Sequence, residues 1–241
     1  MDARDSRGHD GCMVPASTTS RAFFGRRKGH PLKPRQAKLF DSLLPRLALD
    51  LSQPPPSDLG VLFSGVDRIR LEIGFGGAEH LIAQALAEPR SGFIGSDGFV
   101  NAIGKALAAI DESNLGNVRL HFGDAIELLD WLPEGGLTRI DLLYPDPWPK
   151  RRHWKRRFIQ DRSLKQIARI LKPGGELRFA TDISDYAVYA LARVMRSPEF
   201  EWAAETANDW RKPWSGYSRT RYEAKAVREG RAPAYFVFRK R

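Results

Sequence analysis

Asp146 is the residue around which most of the chemistry in this chain can be built. It stands in Leu142-Leu143-Tyr144-Pro145-Asp146-Pro147-Trp148-Pro149-Lys150, a carboxylate set between prolines and an indole at the end of an apolar run. Proline fixes φ and withholds an N–H, so Pro145, Pro147 and Pro149 forbid a helix and present Asp146 on a stiff loop. Lys150, Arg151, Arg152, Lys155, Arg156 and Arg157 follow at once, with His153 and Trp154 among them. A fixed carboxylate beside a dense cationic patch suits small-molecule chemistry performed on a polyanion. The plainer alternative is a solvated loop leading into a helix.

Four more acids occupy comparable places. Glu72, Asp97, Asp124 and Asp182 each lie at or just past the end of a short apolar run. One such acid is ordinary, because Asp is a good helix N-cap. Five in register, Asp146 included, make an acidic rim on a basic protein, which fits a ligand carrying hydroxyls, an amine or positive charge. The turn Gly74-Phe75-Gly76-Gly77-Ala78-Glu79 keeps the first two glycines of a dinucleotide fingerprint, but Glu79 takes the place of the third. A carboxylate in the first helical turn suits the helix dipole and repels a pyrophosphate. Asp97 can take both hydroxyls of a ribose. S-adenosylmethionine meets these demands together: two ribose hydroxyls, an ammonium, a sulfonium and no phosphate.

The elements that must position these residues alternate along the chain. Strands are predicted at Arg68 to Ile73, Phe93 to Asp97, Val118 to Phe122, Ile140 to Tyr144 and Glu176 to Ala180. Helices are predicted at Ala78 to Ala87, Val100 to Ile110, up to Leu129, from Arg156 to Leu171 and at Ser184 to Arg196. Such alternation means an α/β fold, a doubly wound, mostly parallel sheet of Rossmann-like type with helices on both faces. Ala234 to Phe238 reads as a late, antiparallel strand. In open sheets of this kind ligands bind beyond the carboxyl ends of the strands, where the five acids fall.

Upstream, residues 1–20 are polar and lack periodicity, and read as a disordered tail. Residues 21–58 read as a basic arm (Arg21, Arg26, Arg27, Lys28, Lys33, Arg35 and Lys38, with Phe23 and Phe24), a short helix from Pro34 to Leu47 and a Pro-rich linker. The main domain is expected over 59–241. The net charge of +10 across 241 residues points to an acidic partner, most simply nucleic acid. No apolar run approaches the roughly 18 to 20 residues that span a bilayer, and no secretory signal is apparent. The single cysteine, Cys12, allows neither an intrachain disulfide nor a Cys-based metal site. A cytoplasmic protein without a metal, a membrane or an obligatory protein partner is expected.

Four segments occur together in order: Leu71-Glu72-Ile73-Gly74-Phe75-Gly76-Gly77, Pro145 to His153, Thr181-Asp182 with Tyr186-Ala187, and Thr220-Arg221-Tyr222-Glu223. In these the chain resembles the bacterial tRNA (guanine-N7-)-methyltransferase family (TrmB) over about residues 21–241. The resemblance implies a class I S-adenosylmethionine-dependent methyltransferase that forms 7-methylguanosine in the variable loop of tRNA. It further implies that Glu72, Asp97, Asp124 and Asp146 contact the methyl donor beside Gly74 and Gly76, and that Asp146 is catalytic. Lys150, Asp182, Thr220, Arg221, Tyr222 and Glu223 are implied to contact RNA or the guanine. The strand-two acid is usually Glu in that family and is Asp97 here. Trp148, Trp154 or Tyr222 could stack on an exposed base, although core or rim packing suits Trp148 and Tyr222 equally well. The Thr220 to Glu223 segment is expected on a loop closing over the site. Three other classes stay open on the residues alone: a nicotinamide dehydrogenase, an exocyclic-amine methyltransferase (Asp146-Pro147-Trp148-Pro149 resembles its Asp/Asn-Pro-Pro-aromatic motif), and a non-enzymatic RNA-binding protein.

Overall fold

The structure, a computed structural model, describes Gly25 and residues 29–241. The expected tail, Cys12 and the cations Arg21, Arg26, Arg27 and Lys28 lie outside the described residues. In chain order the elements are α1 (Pro34–Ser42), α2 (Leu44–Leu47), β1 (Arg68–Ile73), α3 (Glu79–Ala87), β2 (Ser91–Asp97), α4 (Val100–Glu112) and β3 (Val118–Phe122). There follow α5 (Ala125–Trp131), β4 (Leu137–Leu143), α6 (Asp161–Ile170), β5 (Leu171–Thr181), α7 (Ser184–Arg196), β6 (Phe200–Trp202), α8 (Asn208–Arg211), α9 (Arg221–Arg228) and β7 (Ala234–Lys240).

The strands form one sheet in the order β3-β2-β1-β4-β5-β7-β6. The first five run parallel, and β7 pairs antiparallel with both β5 and β6. The chain winds outward from β1 to β3 and then returns to place β4 beside β1. That reversal opens a crevice at the carboxyl ends of β1 and β4, where a doubly wound sheet binds its ligand.

The two faces of β1 and β4 differ. Ile69, Leu71 and Ile73 of β1, with Ile140 and Leu142 of β4, join the large core beneath α5, α6 and α7. The alternate residues Arg70, Glu72, Arg139 and Asp141 are buried on the other face, towards α3. A second apolar cluster joins α1, α3 and α4 through Leu39, Leu81, Ile103 and Leu107. Arg35 of the basic arm pairs with Asp111 of α4 at 2.8 Å, and Asn101 of α4 bonds both Gly29 and His30.

Several boundaries differ from expectation, each for a local reason. The helix expected over Pro34 to Leu47 breaks at Leu43, because Pro45 opens the second short helix. The helix expected from Arg156 begins only at Asp161; Arg151–Arg156 is a short 3-10 helix, and Ser163 holds the turn between them by receiving a bond from the Gln160 amide. The strand expected from Glu176 starts at Leu171. Its pairing with β4 slips between Leu171 and Glu176, so Lys172-Pro173-Gly174-Gly175 bulges within the strand with Gly174 at φ +74°.

Tyr186 is fully buried on α7, and its hydroxyl accepts from the amides of Phe158 (3.1 Å) and Ile159 (3.4 Å). Those amides belong to the link between the 3-10 helix and α6. Tyr186→Phe leaves both without that acceptor and is expected to lower stability by about 1–3 kcal/mol. Urea unfolding measures this directly; an unchanged midpoint would show that the hydroxyl bonds contribute nothing.

Candidate active site at the carboxyl ends of the strands

The turn after β1 is built by left-handed residues: Gly74, Gly76 and Ala78 have φ of +71°, +55° and +65°. At Gly76 a Cβ would also meet Tyr222 Cε2 at 3.1 Å, so the position needs glycine on two counts. The Asp97 carboxylate braces this turn. Its Oδ2 accepts from the Gly76 amide at 2.9 Å and its Oδ1 from the Phe99 amide at 2.8 Å. Each oxygen keeps a lone pair for a further donor. Burial pushes the Asp97 pKa upward; the two amides and Arg221 oppose it, and the charge of Asp146 adds to it. Asp97 and Asp146 therefore share one electrostatic site across the β1/β4 crevice.

Asp146 itself lies on an open stretch three residues past β4. Tyr144 and Trp148, on either side, are left-handed at φ +50° and +42°. Such backbone costs a non-glycine residue on the order of 1–3 kcal/mol and persists where its surroundings over-determine it. Two contacts do so here. The Tyr144 amide continues the ladder to Ala180 (2.8 Å), and Arg157 Nε donates to the Pro147 carbonyl at 2.8 Å. The Asp146 side chain stays open to solvent although ringed by protein atoms, and that ringing pushes its pKa upward.

The other strand-end acids are less alike than their sequence positions. Asp124 caps α5, accepting from the Ile126 amide at 3.0 Å. Asp182 pairs with Arg231 at 2.5 Å. Glu72 is only 4% exposed, under the rim, with Oε2 3.0 Å from Nδ1 of buried His80. Burial pushes Glu72 up. Burial acts to lower His80, yet the facing carboxylate outweighs it and the net shift is upward.

This pair belongs to a buried polar layer that sequence reasoning missed. Arg139 bonds Asp141 (2.8 Å) and Gln84 (2.7 Å), and Gln84 donates on to the Gly216 carbonyl at 2.7 Å. The polar residues alternating in β1 and β4 were its signal. Gln84 and His80, whose ring lies 5.5 Å from that of Tyr217, tie the C-terminal segment onto α3.

Thr220 to Glu223 is not the loop expected. Thr220 caps α9, its hydroxyl accepting from the Glu223 amide at 3.2 Å, and the first turn of that helix lies against Gly76. A Thr followed three residues later by Glu is a helix-start signature, and it was legible. Glu223 is 2% exposed and accepts from the Tyr217 hydroxyl and from Arg219 at 3.1 Å. Arg221 reaches Glu79 at 3.8 Å, while Tyr222 is half exposed above the glycine turn.

The basic segment also divides. Lys150, Arg151, Arg152 and Lys155 are exposed. The pKa of His153 is pushed down by desolvation and then by the charges of Arg156, Arg152, Lys150 and Lys155. Trp148 lies 5.0 Å from the Arg156 guanidinium and edge-on to His153. Two residues leave the group expected to face RNA. Trp154 packs edge-on against Tyr189, and Arg157, 1% exposed, lies inside a cage of Trp154, Tyr186 and Tyr189. Among the described residues no three of His, Cys, Asp and Glu come together in a way that could hold a metal ion, and no helix is long and apolar enough to cross a membrane.

Residues 67–235 match a family model described as "Putative methyltransferase". The tRNA (guanine-N(7)-)-methyltransferase of Rhodopseudomonas palustris strain BisB5 is 59% identical, over 91% of this chain and 86% of that protein. The protein of the same name from Bradyrhizobium diazoefficiens is 55% identical, over 92% of this chain and 94% of its own length. Among solved structures, TrmN from Thermus thermophilus superimposes with a TM-score of 0.52 at 20% identity, over 73% of this chain and 45% of that one. An antibiotic-related methyltransferase does so with 0.51 at 14% identity, over 80% and 94%. At these identities the two structures share the fold.

Proposed function

The chain belongs to the tRNA (guanine-N7-)-methyltransferase family, and from that membership we propose that it moves the methyl group of S-adenosylmethionine to N7 of a guanosine in tRNA, with Asp146 at the reacting centre. The observation that carries the reading is the convergence of the Asp97-braced glycine turn and the rigid Asp146 loop on one crevice, flanked by exposed cations.

The residues present fit the donor. The free lone pairs of Asp97 suit ribose hydroxyls, Asp124 and the Gly74–Gly76 backbone adjoin the same rim, and Glu79 at the head of α3 disfavours a diphosphate in its place. When bound, S-adenosylmethionine supplies an electrophilic methyl on a sulfonium. Guanine N7 has a lone pair and no proton to lose, so the protein need not provide a strong base. Its task is alignment, and holding two reactants in line can supply roughly 7 to 11 kcal/mol. A carboxylate about 4 Å from the developing purinium adds at most about 4 kcal/mol at an effective dielectric of 20, and solvent exposure of Asp146 reduces that further. Positioning outweighs electrostatics. Asp146 accepts from guanine N1–H and the exocyclic amine and orients the ring rather than removing a proton.

Lys150, Arg151, Arg152 and Lys155 hold the RNA backbone, and Asp182 and the Thr220 to Glu223 segment border the guanine. Each cation that neutralises a phosphate releases a counterion. Lys155→Ala is expected to reduce the slope of log Kd against log salt by about 0.7 to 0.9, with kcat at saturating tRNA retained. An unchanged slope would remove Lys155 from the RNA interface. The function itself is tested by treating end-labelled tRNA with protein and S-adenosylmethionine, then with borohydride and aniline. Scission at one guanosine is expected, because N7 methylation makes that glycosidic bond labile; intact tRNA would refute the acceptor atom.

A further inference from the structure

We propose that Arg157 is a positioning residue for methyl transfer, holding Asp146 in place through the carbonyl of Pro147. The inference rests on the role given to Asp146. Arg157 looks in sequence like the last cation of an RNA-binding run, yet its side chain is fully buried. Its guanidinium carbon lies 4.6 Å from the Trp154 ring, 4.8 Å from Tyr186 and 4.6 Å from Tyr189. Nη2 pairs with Asp185 at the head of α7, and Nε donates at 2.8 Å to the carbonyl of Pro147, the residue after Asp146.

Arginine suits this place for a physical reason. Its charge is delocalised and weakly hydrated, so it tolerates burial among aromatic faces, and its planar fork spends separate N–H groups on separate partners. The partners here are α7 and the Asp146 loop. That loop carries two left-handed residues, Tyr144 and Trp148, and relaxes unless something holds it. Pro147 can offer only its carbonyl, and Arg157 is bonded to it. Lysine would keep the charge and could reach Asp185, but it has no Nε–H at the branch point to donate to Pro147 at the same time.

The test compares Arg157→Lys, Asp185→Ala and Asp146→Ala with the parent. Folding is followed by thermal melting, donor and tRNA affinities by titration, and kcat by labelled methyl transfer at saturating tRNA. Folded Arg157→Lys is expected to keep its donor affinity, tRNA affinity and salt slope while kcat falls roughly 10- to 100-fold, the signature of a misplaced reacting group. A parental kcat, or a raised tRNA KM with a shallower salt slope, would overturn the proposal; the second result would return Arg157 to the RNA interface. If Arg157→Lys does not fold, Asp185→Ala decides. Asp185 is half exposed and its removal unlatches the guanidinium without emptying the cage. A severalfold loss of kcat at unchanged tRNA affinity supports the proposal, and a parental kcat overturns it. Asp146→Ala separates the two levels. If it stays active, the role of Asp146 fails; if it is inactive while the Arg157 and Asp185 variants are parental, only the inference about Arg157 fails.

Discussion

Asp146→Ala is expected to lower kcat by about 10²–10³-fold, the usual cost of removing one preorganised partner of the transition state. The tRNA affinity and its salt slope should stay at parental values, because the proposed RNA contacts are those of Lys150 and the cations after it. Asp146→Asn should fall between the two proteins: asparagine keeps one acceptor for guanine but loses the charge and the second oxygen. That ordering follows from the claim that alignment outweighs charge. If asparagine were as damaging as alanine, the charge would be the larger contribution and the claim would be wrong. Single-turnover methyl transfer at saturating tRNA and donor is the measurement, since it isolates the chemical step.

Asp97→Ala is expected to weaken S-adenosylmethionine binding by roughly 100-fold, close to 3 kcal/mol. Two effects combine. The ribose hydroxyls lose the acceptor proposed for them, and the amides of Gly76 and Phe99 lose the carboxylate that fixes the turn. A hydrogen bond to a charged group contributes about 1.5–3 kcal/mol, so either effect alone would be noticeable. The change should appear in donor Kd by calorimetry and leave tRNA affinity unchanged. A Kd within threefold of the parent would mean that the donor does not sit on this turn.

Much of this arrangement was legible in the sequence, and the reasons are local. Short apolar runs alternating with amphipathic stretches specify a parallel sheet, and an acid just past such a run falls on its carboxyl rim whatever the details of packing. Asp97 and Asp146 could be found that way. Glu72 shows the limit. It shares a sequence position with the rim acids, yet the alternation of β1 turns it onto the α3 face, against His80. Whether a polar residue in a parallel strand meets solvent or a buried partner depends on α3, which the strand cannot report. Arg157 was hidden for a similar reason. It is one of six cations in eight residues, and only the approach of α7, carrying Tyr186, Tyr189 and Asp185, removes it from solvent. The α9 start, in contrast, was readable from Thr220 and Glu223 but was masked by the Gly and Pro residues around it.

The most direct measurement is transfer of labelled methyl from S-adenosylmethionine to unmodified bulk tRNA, followed by digestion and nucleoside chromatography, with Asp146→Ala run in parallel. Label in 7-methylguanosine, nearly absent with the variant, is the predicted result and ties donor, acceptor atom and Asp146 together. Label in a nucleoside methylated on an exocyclic amine would contradict the acceptor, and label undiminished in the variant would contradict the place given to Asp146.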